Sequence, residues 1–434
     1  MGSSHSSYDG DWRSVLLGDV TQELTIRLGE SESDQPVYGV DRMQGLTPTP
    51  KYQASDLTRY KKIESGMFAY NPMRLNIGSI GYCSDRHRPG VVSPDYVVFG
   101  CVQDHLAPDY LYWLTKSGIW SEWVENAGVG SVRVRIYFRE LKRMPLRLPL
   151  LDEQHAIAEV LGSLDDKIER NRRTARTLER LARAIFRAWF IDFEPVKAKA
   201  AGATSFPSMP QDVFDSLPST FTDSELGPIP AGWLLGSVGD VVFMSKLQVD
   251  PSEAPNETFE HFSIPAFDGG RQPILESGAT IKSNKFLVPN DCVLLSKLNP
   301  RIPRVWVPFT TSGLRRVAST EFLPFGPTGG ADISFLFACF TQPDFGVRLS
   351  QRATGTSNSH QRVRPQDILS DRLALPAEAV LKTFGQIASP LLAMADQLEH
   401  ESRKLAEMRD FLLPKLLSGQ VRVNKARRFA EEAI

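Results

Sequence analysis

Some residue types in the chain could do covalent chemistry, and none falls in a complete motif. Tyr70-Asn71-Pro72-Met73-Arg74 starts like the Asn-Pro-Pro-aromatic motif of amino-methyltransferases, but Met73 and Arg74 replace the second proline and the aromatic, and no glycine-rich cofactor loop precedes it. Pro94-Asp95 with Asp165-Asp166-Lys167 scans as a nuclease PD…DxK pattern, yet its second half falls in a helical repeat, where solvated charge accounts for it. No GxxxxGK[ST] phosphate loop is present, so nothing points to ATP binding by this chain. The cysteines Cys83, Cys101, Cys292 and Cys339 form no CxxC pair and have no histidine at zinc-site spacing. The reading is therefore no catalytic residue, no metal and no cofactor in this chain.

Recognition chemistry fits better. Gly128 to Arg135 (with Ser131, Arg133 and Arg135) and Gly355 to Arg364 (with Ser357, Asn358, Ser359, His360, Arg362 and Arg364) are small, polar and basic. Small residues let a backbone approach DNA, Arg forks onto guanine edges, Asn or Gln onto adenine, and Ser or Thr more often holds phosphate. A second loop pair is Asn71, Arg74 and Asn76 against Lys297, Asn299, Arg301 and Arg304. Arg42 with Gln44 is a weaker candidate, as are Lys282 and Lys285. The plain alternative for all of them is surface charge on ordinary turns.

The elements that must hold these loops emerge from self-similarity. Trp12 to Val20 matches Trp233 to Val241, Val91 to Phe99 falls on Val317 to Phe325, and from Gly128 onward the halves align without a gap at a spacing of 227. The chain is a tandem duplication: a mixed unit of short strands and turns, then one long helix, twice over. In the first helix Leu161, Leu164, Ile168, Asn171, Ala175, Leu178, Ala182, Ile185 and Trp189 alternate three and four apart, a coiled-coil seam with one polar member. The second repeats it as Ala388, Leu391, Ala395, Leu398, Ser402, Leu405, Arg409, Leu412 and Leu416, and Pro390 and Pro414 are expected to start or bend that helix. Neither helix can bury its stripe alone, so an antiparallel pair is expected. Tyr110, Tyr112, Trp113, Trp120 and Trp123 are helically spaced and read as core, whereas Arg172, Arg173, Arg176, Arg180 and Arg183 make one side of the first helix basic.

The expected organisation is a mixed α+β chain of two α/β recognition domains separated by two long antiparallel coiled-coil helices. Its segments are a first domain over 1–149, a helix over 150–191, a proline-rich extended connector over 192–230, a second domain over 231–376, a second helix over 377–420 and a tail over 421–434. At 434 residues and 41% hydrophobic there is core enough for two or three domains. The 50 Lys and Arg nearly cancel the 51 Asp and Glu, so any basic surface must be local. No run of eighteen apolar residues occurs, and Met1 to Ser7 lacks the apolar core and basic flank of a signal peptide, so a cytoplasmic location is expected.

Leu150-Leu151-Asp152-Glu153-Gln154-His155-Ala156-Ile157-Ala158, the run Leu164 to Asn171 and the run Leu181 to Phe193 resemble the central conserved region of Type I restriction-modification specificity (HsdS) subunits. Leu413 to Gly419 resembles that family's distal conserved region, and Ile229-Pro230-Ala231-Gly232-Trp233 the start of its second reading domain. The Leu150-Leu151-Asp152 approach departs from the Pro-rich one usual there. The resemblance implies a non-catalytic subunit whose two domains each read half of a split, asymmetric site on double-stranded DNA, with the helices setting the gap. It also implies docking of two HsdM methylation subunits and, through them, HsdR restriction subunits, to which S-adenosylmethionine, ATP and magnesium would belong. The other readings are a coiled-coil scaffold that binds no DNA and a methyltransferase or nuclease half.

Overall fold

The computed structural model describes residues 12–30, 34–48, 56–102, 104–127, 135–309, 312–355 and 361–433. It divides into two compact units, Met1–Arg170 with Glu401–Ile434, and Asn171–His400. Two 40-residue helices, Leu151–Phe190 and Glu378–Leu417, each begin in one unit and end in the other.

In the first unit one four-stranded sheet has the order Thr21–Glu23, Val97–Cys101, Met67–Tyr70, Ile80–Tyr82, and all its pairings are antiparallel. A second has the order Gly45–Pro48, Val37–Asp41, Gly90–Val92, Lys61–Ile63, with a parallel pair in the middle. The second unit repeats both. Val242–Met244, Phe322–Pro327, Val293–Ser296 and Val305–Trp306 form the antiparallel sheet. Ile274–Ser277, Thr258–Phe262, Arg315–Ala318 and Lys285–Leu287 form the mixed one, extended by an edge strand Gln248–Val249. An identical strand order, down to the central parallel pair, is the tertiary form of the sequence duplication.

The expected helical seam is buried within each unit. Leu161, Leu164, Ile168, Leu405, Leu412 and Leu416 share the first unit's core; Ala182, Phe186, Trp189, Phe384, Ala388 and Leu392 share the second's. Contacts in the first unit run antiparallel: Asp165 pairs with Arg409, and Ser402 Oγ donates to Ile168 O at 3.5 Å. In the second unit Phe186 and Trp189 both pack edge-on against Phe384. Leu178, Ile185, Leu391 and Leu398 are only partly buried, Leu392 taking the deeper place beside Leu391. Tyr110, Trp113 and Trp120 are core, with Tyr112 and Trp123 packed against it.

Two expectations need correcting. The connector is not extended: Glu194–Ala200 and Gln211–Ser216 are helical, and Val196, Met209, Val213, Phe214 and Leu217 enter the second unit's core. Lys199 Nζ clamps it by donating to the carbonyls of Phe214, Asp215 and Leu217 at 3.1, 2.6 and 2.6 Å. The prolines mark the joints between these short helices, while apolar residues between them supply burial. Pro390 and Pro414, in turn, do not start their helix, which is continuous from Glu378 to Leu417. The missing N–H and ring clash at Pro390 cost about 3 kcal/mol, a cost offset by burial of Ala388, Leu392 and Ala395 around it.

Candidate nucleic-acid interface

The strongest local signal in both units is one turn. After strand Met67–Tyr70 the backbone N–H of Arg74 donates to Asn71 O at 2.9 Å, and after strand Val293–Ser296 that of Ile302 donates to Asn299 O, also at 2.9 Å. Both are four-residue turns opening with Asn-Pro, with Asn at the first position and Pro at the second, where its fixed φ suits the bend. Pro72 and Pro300 are buried, which seats each turn on its domain. The third and fourth residues, Met73-Arg74 and Arg301-Ile302, are all exposed.

Each turn is bonded to the segment just before the last short helix of its unit. Ile136 N donates to Pro72 O at 3.0 Å, which brings exposed Arg135 beside the first turn. In the second unit Asn299 N donates to Gln361 O at 2.8 Å and Val363 N to Lys297 O at 3.0 Å. The two loop groups that look separate in sequence are thus one surface in each unit.

The hairpin tip Asp41–Gly45 joins the first surface. Asp41 Oδ1 accepts from the N–H groups of Met43 and Gln44 at 2.7 and 3.0 Å, bonds that hold its carboxyl below the usual range and fix the tip. Arg42 runs against Gly78, where a Cβ would lie 3.9 Å from its Cγ, and Ser79 Oγ donates to Val40 O at 3.3 Å. Arg42, Arg74, Asn76 and Arg135 are exposed on neighbouring loops, and Asn71 is half-buried at their base, its Oδ1 accepting from Met73 N at 2.9 Å. Gln44 points elsewhere: with Met43 it edges a cleft of about 470 Å³ whose other wall includes Glu159, Asp165 and Asp166, a poor place for phosphate.

In the second unit the candidates separate. Arg301 is exposed, and Arg364 is exposed at the start of the helix Pro365–Leu369. Lys297 and Asn299 are half-buried, their backbones serving the pairing above. Arg304 is not a surface arginine at all: 8% exposed, it donates Nε and Nη2 to Asp268 at 2.8 and 2.9 Å. Lys285 is buried too, its Nζ held by Ser283, and that burial pushes its pKa down. Arg362 forks onto Glu321 at 3.0 to 3.2 Å and so pins the 361–363 segment before it can reach a ligand. Ser131, Arg133, Ser357, Asn358, Ser359 and His360 lie outside the described residues.

Sequence reasoning passed over the positioning role of Gln154. Fully buried, it accepts from Ala107 N at 2.9 Å and donates to Pro149 O and His105 O at 3.0 and 3.2 Å, locking the helix start to the domain. An uncharged amide at a helix start has no distinguishing pattern until its burial is known.

The family model for the Type I restriction modification DNA specificity domain matches residues 11–180. The chain is 26% identical to the Type I restriction enzyme MjaIX specificity subunit of Methanocaldococcus jannaschii over 74% of its own length and 71% of that protein. It is 22% identical to the HindI specificity subunit of Haemophilus influenzae over 95% of its length and all of that protein. The chain is similar to the specificity subunits of Type I restriction-modification enzymes, and its residues 11–180 match their DNA specificity domain. Its fold is that of such a subunit: the S subunit crystal structure from M. genitalium is similar with a TM-score of 0.58 at 13% identity, over 95% of this chain and 98% of that one. The matched region of this chain contains the first turn surface entire, Arg42, Asn71, Arg74, Asn76 and Arg135 included. No helix among the described residues is long and apolar enough to cross a membrane.

Proposed function

We propose that this specificity subunit reads a split site on duplex DNA, each unit contacting one half through its Asn-Pro turn surface, and that it performs no chemistry itself. The observation that carries this is the recurrence of the same bonded turn, with an exposed arginine, on the same strand order in two units of one chain. Phosphate contacts would supply affinity and make it salt-dependent, while base-edge contacts would supply choice. Two modestly selective surfaces on one chain bind a split site tightly because the second contact is intramolecular.

Methyl transfer and cleavage would then belong to partners: two methylation (HsdM) subunits docked on the long helices, which would bring S-adenosylmethionine, and restriction (HsdR) subunits carrying ATP and magnesium. Helix length would set the gap between half-sites, since both helices run from one unit into the other. The complex would work in the cytoplasm, where the host DNA is.

Mapping methylated bases genome-wide in cells with and without the chain tests the reading. A bipartite motif that disappears with the chain is expected, with no methyl transfer by the purified chain alone. Methylation that persists without it, or transfer by the isolated chain, refutes it.

A further inference from the structure

Isolated exposed aliphatics are ordinary on protein surfaces, but Met73 and Ile302 are not placed at random. Met73 is 56% and Ile302 53% exposed, and they are the third and the fourth residue of the equivalent Asn-Pro turns in their own units. Each is next in sequence to an exposed arginine, in opposite order: Met73-Arg74 in the first turn, Arg301-Ile302 in the second. A residue kept for packing would hold its place in the turn and be buried. Here the composition and the exposure recur, one aliphatic and one guanidinium, while the order does not.

Both side chains are presented on stiff backbone. Met73 N is held by Asn71 Oδ1 at 2.9 Å, and Ile302 N by Asn299 O at 2.9 Å, with buried prolines beneath. The neighbouring charge is cationic in both copies, with Arg42 and Arg135 adding to it in the first, which matches a polyanion rather than an apolar protein face. Among the groups a duplex shows in its major groove, the one apolar group is the 5-methyl of thymine, and aliphatic side chains contact it.

We infer that Met73 and Ile302 are specificity-determining residues that read a thymine methyl group, one in each half-site. The inference rests on the split-site reading above and names the base chemistry within it. Met73 and Ile302 select thymine; the adjoining arginines select guanine or hold phosphate.

The test uses the chain assembled with its methylation subunits and a duplex bearing the motif mapped in cells, with deoxyuridine replacing thymidine in one half-site at a time. Each half-site substitution is expected to weaken wild-type binding about fourfold, the value of one buried methyl at ~0.8 kcal/mol. Met73→Ala should erase the thymine-over-uracil preference in one half-site only and Ile302→Ala in the other, while Met73→Leu should keep it. Equal binding of thymine and uracil duplexes by the wild type overturns the inference, as does a preference that survives both alanine variants. Should that happen while Arg74→Ala still relaxes base choice, the split-site reading stands and only this inference falls; absence of any sequence-selective binding removes both.

Discussion

Replacing Arg74 by alanine separates reading from folding. The guanidinium of Arg74 is exposed and has no partner among the described residues, so its loss should change stability by less than about 0.5 kcal/mol. An arginine forked onto a guanine edge contributes about 1 to 3 kcal/mol of discrimination, or roughly 5- to 150-fold between the right and wrong base at one position. If it instead holds phosphate, binding should weaken evenly across sequences and the salt slope should fall by about one. The assay is titration of the assembled complex against duplexes carrying each single-base change, at two salt concentrations, beside a melting curve. Arg304→Met is the matched control: it removes a buried guanidinium bonded to Asp268 and should lower stability while base choice stays as it was. The reasoning is refuted if Arg74→Ala relaxes both half-sites, or if Arg304→Met alters base choice in a folded protein and Arg74→Ala does not.

Other substitutions test the scaffold. Asp371, fully buried between Arg348 and Arg352 at 2.6 and 3.2 Å, should cost about 3 kcal/mol when changed to alanine, the low end for breaking a buried pair because both arginines stay about a third exposed; a melting temperature unchanged by Asp371→Ala contradicts this. Asn171 is 5% exposed in the seam with its Nδ2 unbonded, so Asn171→Leu should raise stability by about 1 kcal/mol in chemical denaturation, a drop counting against the burial argument. Burial pushes the Cys292 and Cys339 thiols up to about 12, so a thiol reagent at neutral pH should label them only on unfolding, and rapid labelling of the folded chain would show that these sites open.

What could be read directly from the chain was whatever depends on near neighbours. The three-four alternation from Leu161 to Trp189 is a property of one helix and survived into the core, and the duplication is visible because both copies must bury the same faces. The helical aromatics from Tyr110 to Trp123 were legible for the same reason. The proline-rich composition of 192–230 misled, because proline density reports where helices stop and says nothing about whether Val213 and Phe214 between them find a core.

The interface shows the same division more sharply. Sequence alone paired two arginine-bearing loops, Asn71 to Asn76 and Lys297 to Arg304, in a repeated unit; that both are Asn-Pro turns emerged from their backbone hydrogen bonds. Only the tertiary structure decided which arginines are tied to a carboxylate, because Arg74 and Arg301 look no different in sequence from Arg304 and Arg362. Asp268 lies 36 residues from Arg304, and Glu321 lies 41 residues from Arg362. Asp268 ends the helix Ile264–Asp268 and Glu321 sits in the turn before strand Phe322–Pro327, so each charge finds its partner through the fold rather than along the chain.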